Sequence, residues 1–187
     1  MDYKRRILTA FNELALQRGF SGVTMDELAT RAGVSKRTIY RYFNSKEEII
    51  DTLLNDILSG FEQKILQMLD SCENPVEKIS NIIKIVPRIT EKLTPAALHD
   101  LHKYYPHLWE KIEQFRARRI QHLFDDLLLN NKYRCFKSVN PKIFTTALLA
   151  SIRSVVNPAF IIDNNLSVEE TIQTLFTIFL SGIVLEE

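Results

Sequence analysis

Apolar residues recur every three or four positions along almost the whole of this 187-residue chain, and that spacing is the strongest constraint on its fold. The chain has only five glycines and six prolines, and no Asn-Gly dipeptide joins two alternating segments. One face of the first predicted helix carries Ile7, Leu8, Phe11, Leu14 and Ala15. The sequence therefore predicts an all-α protein.

Helix-start signals divide the chain into about nine helices. Three pairs fit the capping box, in which a hydroxyl and a carboxylate satisfy unpaired backbone amides: Thr24 with Glu27, Ser45 with Glu48, and Ser167 with Glu170. Asn74-Pro75 and Asn140-Pro141 each combine a cap with proline at the first helical position. The predicted helices cover residues 2–18, 24–31, 35–41, 45–69, 75–86, 95–104, 106–129, 141–157 and 167–184.

Positive charge is concentrated near the N-terminus, although the whole chain has a formal charge of only +1. Residues 1–50 contain nine Lys or Arg against six Asp or Glu, whereas residues 51–187 contain fifteen against seventeen. A polyanionic partner is therefore expected to bind the N-terminal part of the chain.

Two cysteines are too few for a disulfide framework, and the start of the sequence lacks the apolar core of a secretion signal. The longest uncharged stretch near the C-terminus, residues 171–185, is shorter than the roughly 20 apolar residues of a membrane span. We therefore expect a reduced, cytoplasmic protein without a membrane segment.

Residues 24–46 contain two short predicted helices joined by a tight turn. Gly33 can reverse the chain after the first helix, and Ser35 can cap the second. Ile39 and Phe43 are the apolar positions that would hold the second helix to its domain. This pattern indicates a helix-turn-helix, whose second helix enters the major groove of DNA.

The remaining side chains of that second helix suit contacts with DNA. We predict that Lys36 and Arg37 donate to base edges, because both residue types pair with guanine O6 and N7. Thr24, Tyr42 and Lys46 lie at helix starts or at the end of the motif, where they would contact phosphates. The full predicted DNA-binding set is Thr24, Ser35, Lys36, Arg37, Thr38, Tyr40, Arg41, Tyr42 and Lys46.

The segment from Thr24 to Ile50 resembles the DNA-binding signature of TetR-family transcriptional regulators. The matching residues are Thr24, Ala29, Ala32-Gly33-Val34-Ser35, Thr38, Ile39-Tyr40, Tyr42-Phe43, Ser45-Lys46 and Glu48. Residues 51–187 are similar to the family only in length, helicity and general layout. Family members often carry a small residue where this chain has Arg37, so its base contacts cannot be transferred from a relative.

The resemblance implies a homodimeric repressor on a palindromic operator in double-stranded DNA. It implies a three-helix DNA-binding domain at residues 1–50 and a helical effector-binding and dimerisation domain at residues 51–187, with the boundary within the long fourth helix. A small-molecule effector would swing that helix and misalign the two DNA-binding domains.

The last two predicted helices have unusually few charges, with none at residues 143–152 or 171–185. One stripe on each would face the domain core: Phe144, Ala147, Leu148, Ser151, Ile152 and Val155 on one, and Ile172, Leu175, Phe176, Phe179, Leu180 and Ile183 on the other. Apolar and small residues remain on the outer faces, which predicts a four-helix dimer interface. Burial within one chain would explain the same pattern.

The middle helices would enclose an effector. A hydrophobic or aromatic small molecule would suit a pocket lined by Ile82, Val86, Leu98, Tyr104, Tyr105, Trp109, Phe115 and Phe124, although core packing explains these residues equally well. Arg116, Arg118 and Arg119 could neutralise an anionic ligand, but their spacing is more typical of a solvated face.

Other functions have weaker support. His99, His102 and His107 could bind a metal, but histidines in such a polar stretch are more often surface residues, and we predict no metal and no cofactor. No Gly-x-Ser-x-Gly, phosphate-binding glycine loop or His-Glu-x-x-His motif is present, so an enzyme is not expected. The alternative that stays open is a DNA-bound regulator whose C-terminal domain binds a protein or only dimerises.

Overall fold

The computed structural model describes residues 2–71, 74–90, 93–129 and 135–184. These residues form ten helices: α1 (Tyr3–Arg18), α2 (Met25–Ala32), α3 (Lys36–Tyr42), α4 (Lys46–Ser71), α5 (Pro75–Thr90), α6 (Pro95–Tyr104), α7 (Pro106–Leu129), α8 (Pro141–Val155), α9 (Pro158–Asp163) and α10 (Val168–Ile183). The predicted all-α fold is confirmed. In the described part of the chain, no helix has the length and apolar character needed to span a membrane.

The chain divides into two compact units. The first, which we call the head unit, contains α1, α2, α3, α4 up to Phe61, α6, and α7 up to Lys111. The second, the core unit, contains the rest of α4, α5, the rest of α7, and α8 to α10. The assignment of residues 1–50 to DNA binding and of residues 51–187 to effector binding and dimerisation stays a prediction.

The head unit is built around fully buried apolar side chains from α1 to α4. Phe11 and Phe20 stack with their ring centroids 6.0 Å apart. The other members of this core include Ile7, Leu28, Ile39, Phe43, Ile49, Ile50 and Leu54. The predicted apolar face of the first helix is therefore mostly buried, although Leu8 and Leu14 are only partly covered.

The core unit has a separate apolar core, formed by α5, α7, α8 and α10. The Phe144 ring lies 4.8 Å from the ring centroid of Phe124 and 5.6 Å from that of Phe179. Most of the two predicted stripes face this core, but Ala147 is exposed, so its predicted position in the core is wrong.

One helix was not predicted. The sequence predicts a single helix over residues 141–157, but α8 ends at Val155 and the short α9 begins at Pro158. Asn157 Oδ1 accepts a hydrogen bond from the Phe160 N–H at 2.9 Å, so Asn157-Pro158 is a helix start of the same kind as Asn140-Pro141. The apolar spacing of α8 continues through Val155 and Val156, so it does not mark this break in the sequence.

Helix α5 also differs from its predicted range. It continues through Pro87 to Thr90, beyond the predicted end at residue 86. A proline in the last turn removes one backbone donor, and α5 accommodates that loss without ending.

Gly19 ends α1 with a backbone conformation that predicts a strong effect of substitution. Its φ of 76° and ψ of 176° lie in a region that is essentially restricted to glycine. A Cβ atom there would lie 2.5 Å from Asp100 Oδ2. We expect Gly19→Ala to lower the free energy of unfolding by about 1–3 kcal/mol.

Gly60→Ala is the matched control for this experiment. A Cβ at Gly60, within α4, would have no atom within 4 Å. Alanine is favoured over glycine inside a helix by roughly 0.5–1 kcal/mol, so this variant should be slightly stabilised. Thermal unfolding followed by circular dichroism measures both changes, and equal Tm shifts in the two variants would contradict the prediction.

Candidate nucleic-acid interface

The turn between α2 and α3 is formed by Gly33 in the left-handed conformation. Its φ is 61° and its ψ is 42°, values that glycine adopts without the steric cost of a side chain. The N–H of Val34 donates to the carbonyl oxygen of Ala29 at 3.0 Å, which closes the end of α2. The chain therefore reverses within a few residues, as the sequence predicts.

Helix α1 braces this turn through Arg6. Its Nη2 donates to the carbonyl oxygen of Ala32 at 2.7 Å, at the end of α2. Its guanidinium carbon also lies 5.7 Å from the ring centroid of Tyr3, which in turn lies 6.2 Å from the ring of Tyr42. Helix α1 thus contacts both the turn and the end of α3.

Helix α3 has one buried face and one exposed face. Ile39 and Phe43 are buried to 0% and 1% exposure, and they attach the helix to the head unit. Ser35 Oγ begins the helix by accepting a hydrogen bond from the Thr38 N–H at 3.0 Å, and it also lies 2.9 Å from Thr38 Oγ1.

Most of the predicted DNA-binding residues are exposed in this arrangement. Thr38 and Lys46 are half-buried, and the exposed members are Thr24, Ser35, Lys36, Arg37, Tyr40, Arg41 and Tyr42. The exposed edge of α3 combines cationic and phenolic groups, which can donate to base edges and phosphates.

The two predicted base-contacting residues differ in their surroundings. Lys36 Nζ forms an ion pair with Asp26 Oδ2 at 2.7 Å, and both side chains are largely exposed. Arg37 has no ion-pair or hydrogen-bond partner among the residues that the structure describes. A contact with DNA would therefore cost Arg37 no protein contact, whereas Lys36 would have to leave Asp26.

Two aromatic contacts mark the end of α3. The Arg41 guanidinium carbon lies 5.2 Å from the Tyr42 ring centroid, and the Lys4 ammonium lies 5.7 Å from the Phe43 ring centroid. The Arg41 contact places positive charge beside Tyr42, the phenol that was predicted to bind phosphate.

Thr24 forms a complete capping box. Its Oγ1 accepts from the Glu27 N–H at 3.2 Å, while Glu27 Oε2 accepts from the Thr24 N–H at 3.1 Å. Arg18 Nη1 donates to the same carboxyl group at 2.8 Å. The backbone hydrogen bond from Thr24, and then the bond from Arg18, hold the pKa of Glu27 below its ordinary value.

Lys46 is turned toward the protein. Its Nζ donates to the carbonyl oxygen of Ser21 at 3.0 Å. Burial lowers the pKa of this lysine, and the nearby carboxylate of Asp100 opposes that effect. The predicted phosphate contact of Lys46 stays a prediction. It would require the ammonium either to bind the Ser21 carbonyl oxygen and a phosphate together or to leave the Ser21 carbonyl oxygen.

Residues 7–53 match the sequence profile of the family described as "Bacterial regulatory proteins, tetR family". Over this segment the chain belongs to the TetR family. It is a DNA-binding transcriptional regulator rather than an enzyme, as predicted, and DNA is its partner.

Three similar proteins illustrate the extent of the relationship. The chain is 25% identical over 184 residues to the uncharacterised HTH-type transcriptional regulator YvaF of Bacillus subtilis, covering 98% of this chain and 96% of YvaF. It is 35% identical over 72 residues to the HTH-type transcriptional repressor NemR of Escherichia coli, covering 38% and 36% of the two chains. The structure of the fatty acid degradation regulator FadR from Bacillus halodurans superimposes with a TM-score of 0.72 at 20% identity, covering 97% and 96%.

The structure distributes the predicted effector residues of this TetR-family regulator over both units. The head unit holds Leu98, Tyr104, Tyr105 and Trp109, and the core unit holds Ile82, Phe115 and Phe124. Ile82 and Phe124 are buried, Tyr104 is 52% exposed, and the side chain of Val86 lies outside the described residues. Their role in binding a ligand stays a prediction.

A groove of about 590 Å³ lies along α1 and the end of α2, and none of those residues is among its lining residues. Its wall includes the Arg31–Glu13 ion pair, whose Nη2 and Oε2 atoms are 2.6 Å apart. The lining residues are Asp2, Arg5, Arg6, Thr9, Ala10, Glu13, Thr30, Arg31, Ala32 and Gly33. Five of these ten residues carry a charge.

The core unit contains a buried group of charges that was not predicted from the sequence. Glu113 is 7% exposed, and its carboxylate lies 2.9 Å from Arg116 Nη1 and 3.2 Å from Arg153 Nε. Burial lowers the pKa of Arg116, which Glu113 counteracts. Arg116 therefore does not belong to a solvated face. The three-residue spacing of Glu113 and Arg116 on one helix was the feature of the sequence that could have indicated this ion pair.

Two of the three histidines of the hypothetical metal site contact other side chains. His107 Nε2 lies 2.9 Å from Glu47 Oε1, and the His102 ring meets the Trp109 ring edge-on at 5.3 Å. Among the described residues, no group of three or more His, Cys, Asp or Glu side chains is arranged to hold a metal ion. Cys72 lies outside the described residues, and Cys135 is a free thiol.

The Lys36–Asp26 pair predicts that Asp26 weakens binding to DNA. We expect Asp26→Asn to bind DNA about two- to fivefold more tightly, because it frees the Lys36 ammonium and removes an exposed carboxylate. The slope of log affinity against log salt should steepen by up to about one, since one more cation becomes available to phosphate. Fluorescence anisotropy over a salt series measures both quantities.

Glu13→Gln is the control for this prediction. It removes the same charge from an exposed ion pair of the head unit, but from the Arg31 pair that involves α1 and α2 only. Equal changes in salt slope for the two variants would show that Asp26 acts only through net charge.

Proposed function

We propose that this TetR-family protein is a homodimeric repressor that binds a palindromic operator and is released from it by a small hydrophobic or aromatic effector. The observation that carries the proposal is the division of α3 into a buried face, with Ile39 and Phe43, and an exposed cationic face. NemR, which is named a transcriptional repressor, supports repression as the direction of control.

Sequence preference would come from Lys36 and Arg37, at the start of α3. The N-terminal residues of a helix-turn-helix recognition helix are those that contact base edges. Arginine forms two hydrogen bonds with guanine O6 and N7, and Arg37 is exposed and available for this contact. Lys36 would add a second base contact after leaving Asp26.

Phosphate contacts would fix the position of α3 in the groove. Thr24 and Tyr42 are exposed near the two ends of the α2–α3 segment, and Arg41 lies beside Tyr42. Hydroxyl groups, and backbone amides at a helix start, are common phosphate ligands. Ser35 and Thr38 would contribute in the same way, with their hydroxyl groups already hydrogen-bonded to each other.

The outer faces of α8 and α10 would form the dimer interface. Ile143 and Ile178 are 70% and 61% exposed, an unusual state for large apolar side chains. Between and around them the exposed residues are mostly small, namely Ala147, Ala150, Thr174, Ser181 and Gly182. Small residues allow helices from two protomers to approach closely, and two-fold symmetry would present two copies of α3 to successive major grooves about 34 Å apart.

The core unit would bind the effector. Phe115 and Phe124 belong to this unit, and the name of FadR as a regulator of fatty acid degradation supports an apolar ligand as the first class to test. An effector that releases the operator must bind the DNA-free state more tightly, and the operator must weaken its binding by the same factor. As a regulator of transcription, the protein would act in the cytoplasm.

Selection of bound fragments from a random DNA pool tests the DNA-binding proposal. We expect a site with two-fold symmetry. Lys36→Ala and Arg37→Ala should each relax the preference at one base pair per half-site by about 1–3 kcal/mol, because each removes a contact to a base edge. Lys64→Ala, an exposed lysine of α4 in the core unit, is the charge-matched control and should leave the preference unchanged.

Retention of the full preference by both α3 variants would contradict the assignment of these residues as base contacts. Selection of fragments without any common sequence would contradict the operator itself.

Sedimentation velocity tests the dimer. We expect the wild-type protein to sediment as a dimer at micromolar concentration and Ile178→Asp to sediment as a monomer, because the variant would bury an unpaired charge in the interface. Leu66→Asp, at a 47% exposed position on α4, is the control and should remain dimeric. A monomeric wild-type protein would rule out this interface.

A further inference from the structure

Asp100 is a buried carboxylate on α6. It is only 5% exposed, and Asp100, Glu113, Thr145 and Thr171 are the buried polar residues of the described chain. A buried carboxylate is costly unless hydrogen bonds compensate for the water that it loses. The position of Asp100 therefore calls for a partner that makes its burial favourable.

That partner is the backbone of the connection between α1 and α2. Asp100 Oδ2 accepts a hydrogen bond from the Ser21 N–H at 2.7 Å, across 79 positions of the sequence. Gly19 leaves the space that the carboxylate occupies, since a Cβ at that position would lie 2.5 Å from Oδ2. Helices α1 and α6 also contact each other within the head unit.

Ser21 is held from a second direction by α4. The Lys46 ammonium donates to the Ser21 carbonyl oxygen at 3.0 Å. The carboxylate of Asp100 also favours the protonated form of this partly buried lysine. The two backbone polar groups of Ser21 are thus bound by side chains of different helices, Asp100 from α6 and Lys46 from α4.

Ser21 lies three residues before Thr24, the cap of α2. The connection leads directly into the start of α2, and α3 follows α2 through the Gly33 turn. A displacement of α6 would pull on the Ser21 N–H, whereas a displacement of α4 would pull on its carbonyl group. Residue 21 is therefore a point at which both helices act on the DNA-binding surface.

We propose that Asp100 is a positioning residue for DNA binding, which fixes the start of α2 through the Ser21 N–H and so makes operator affinity depend on the position of α6. This inference rests on the proposed operator binding, to which it adds a second connection besides the long helix α4. Asp100 does not contact DNA in this scheme. Substitution of Asp100 should therefore change operator affinity without changing which bases are preferred.

The test compares Asp100→Ala, Asp100→Asn and Asp100→Glu in the full-length protein, with the operator obtained by selection as the probe. We expect Asp100→Ala to bind about tenfold more weakly, the loss typical of one hydrogen bond to a charged group, with unchanged base preference. Asp100→Asn should lie within about threefold of wild type, because its amide oxygen can still accept from Ser21. Asp51→Asn is the control: it removes the same charge from the Lys111 pair of the head unit, and should have little effect.

Hydrogen exchange measured by mass spectrometry separates positioning from a general loss of stability. In Asp100→Ala, the backbone amides of residues 19–27 should exchange faster, whereas those of residues 46–60 should keep wild-type rates. Faster exchange throughout the head unit would overturn the proposal, because it would indicate a purely structural role. Wild-type operator affinity in a folded Asp100→Ala protein would overturn it as well.

Two further outcomes are decisive. If Asp100→Ala does not fold, Asp100→Glu replaces it: the longer side chain keeps the charge but displaces the Ser21 turn, so operator affinity equal to wild type in that variant overturns the proposal. If the wild-type protein selects no operator, the proposed function fails, and the exchange measurement still decides whether Asp100 holds residues 19–27.

Discussion

The DNA-binding surface depends on the burial of Ile39, on the inner face of α3, and of Phe43, directly after the helix. Full burial of such side chains contributes about 1.5–3 kcal/mol each, which exceeds the contribution of a typical exposed ion pair. Attachment through these two side chains leaves the outer face of α3 largely exposed. Arg6 then fixes the direction of the helix, because its guanidinium binds the carbonyl group at the end of α2.

Exposed and buried polar contacts have different roles in the head unit. The Lys36–Asp26 pair is exposed and weak, so DNA can replace Asp26 as the partner of the lysine at little cost. The Asp100–Ser21 hydrogen bond is partly buried, and breaking it would leave the buried carboxylate of Asp100 without its backbone donor. The first contact can exchange during binding, whereas the second holds the surface in place.

Three arginines of α7 in the core unit show what helical spacing alone does not predict. The spacing of Arg116, Arg118 and Arg119 suggested a solvated face, because three cations in four positions of a helix point in different directions. In the structure Arg116 is largely covered beside the buried Glu113, Arg119 pairs with Glu62, and only Arg118 is exposed. Periodicity gives the direction of a side chain around its own helix, but not which neighbouring helix covers it.

The sequence by itself determined the all-α class, most helix limits, the Gly33 turn and the exposed edge of α3. These features depend on side chains within about four residues of one another, as in the Thr24–Glu27 capping box. Only the tertiary structure decided that Arg6 binds the end of α2, that Asp100 binds Ser21, and that Glu113 lies between two arginines. Those contacts join residues far apart in the chain, and their existence depends on how whole helices pack, which no local spacing encodes.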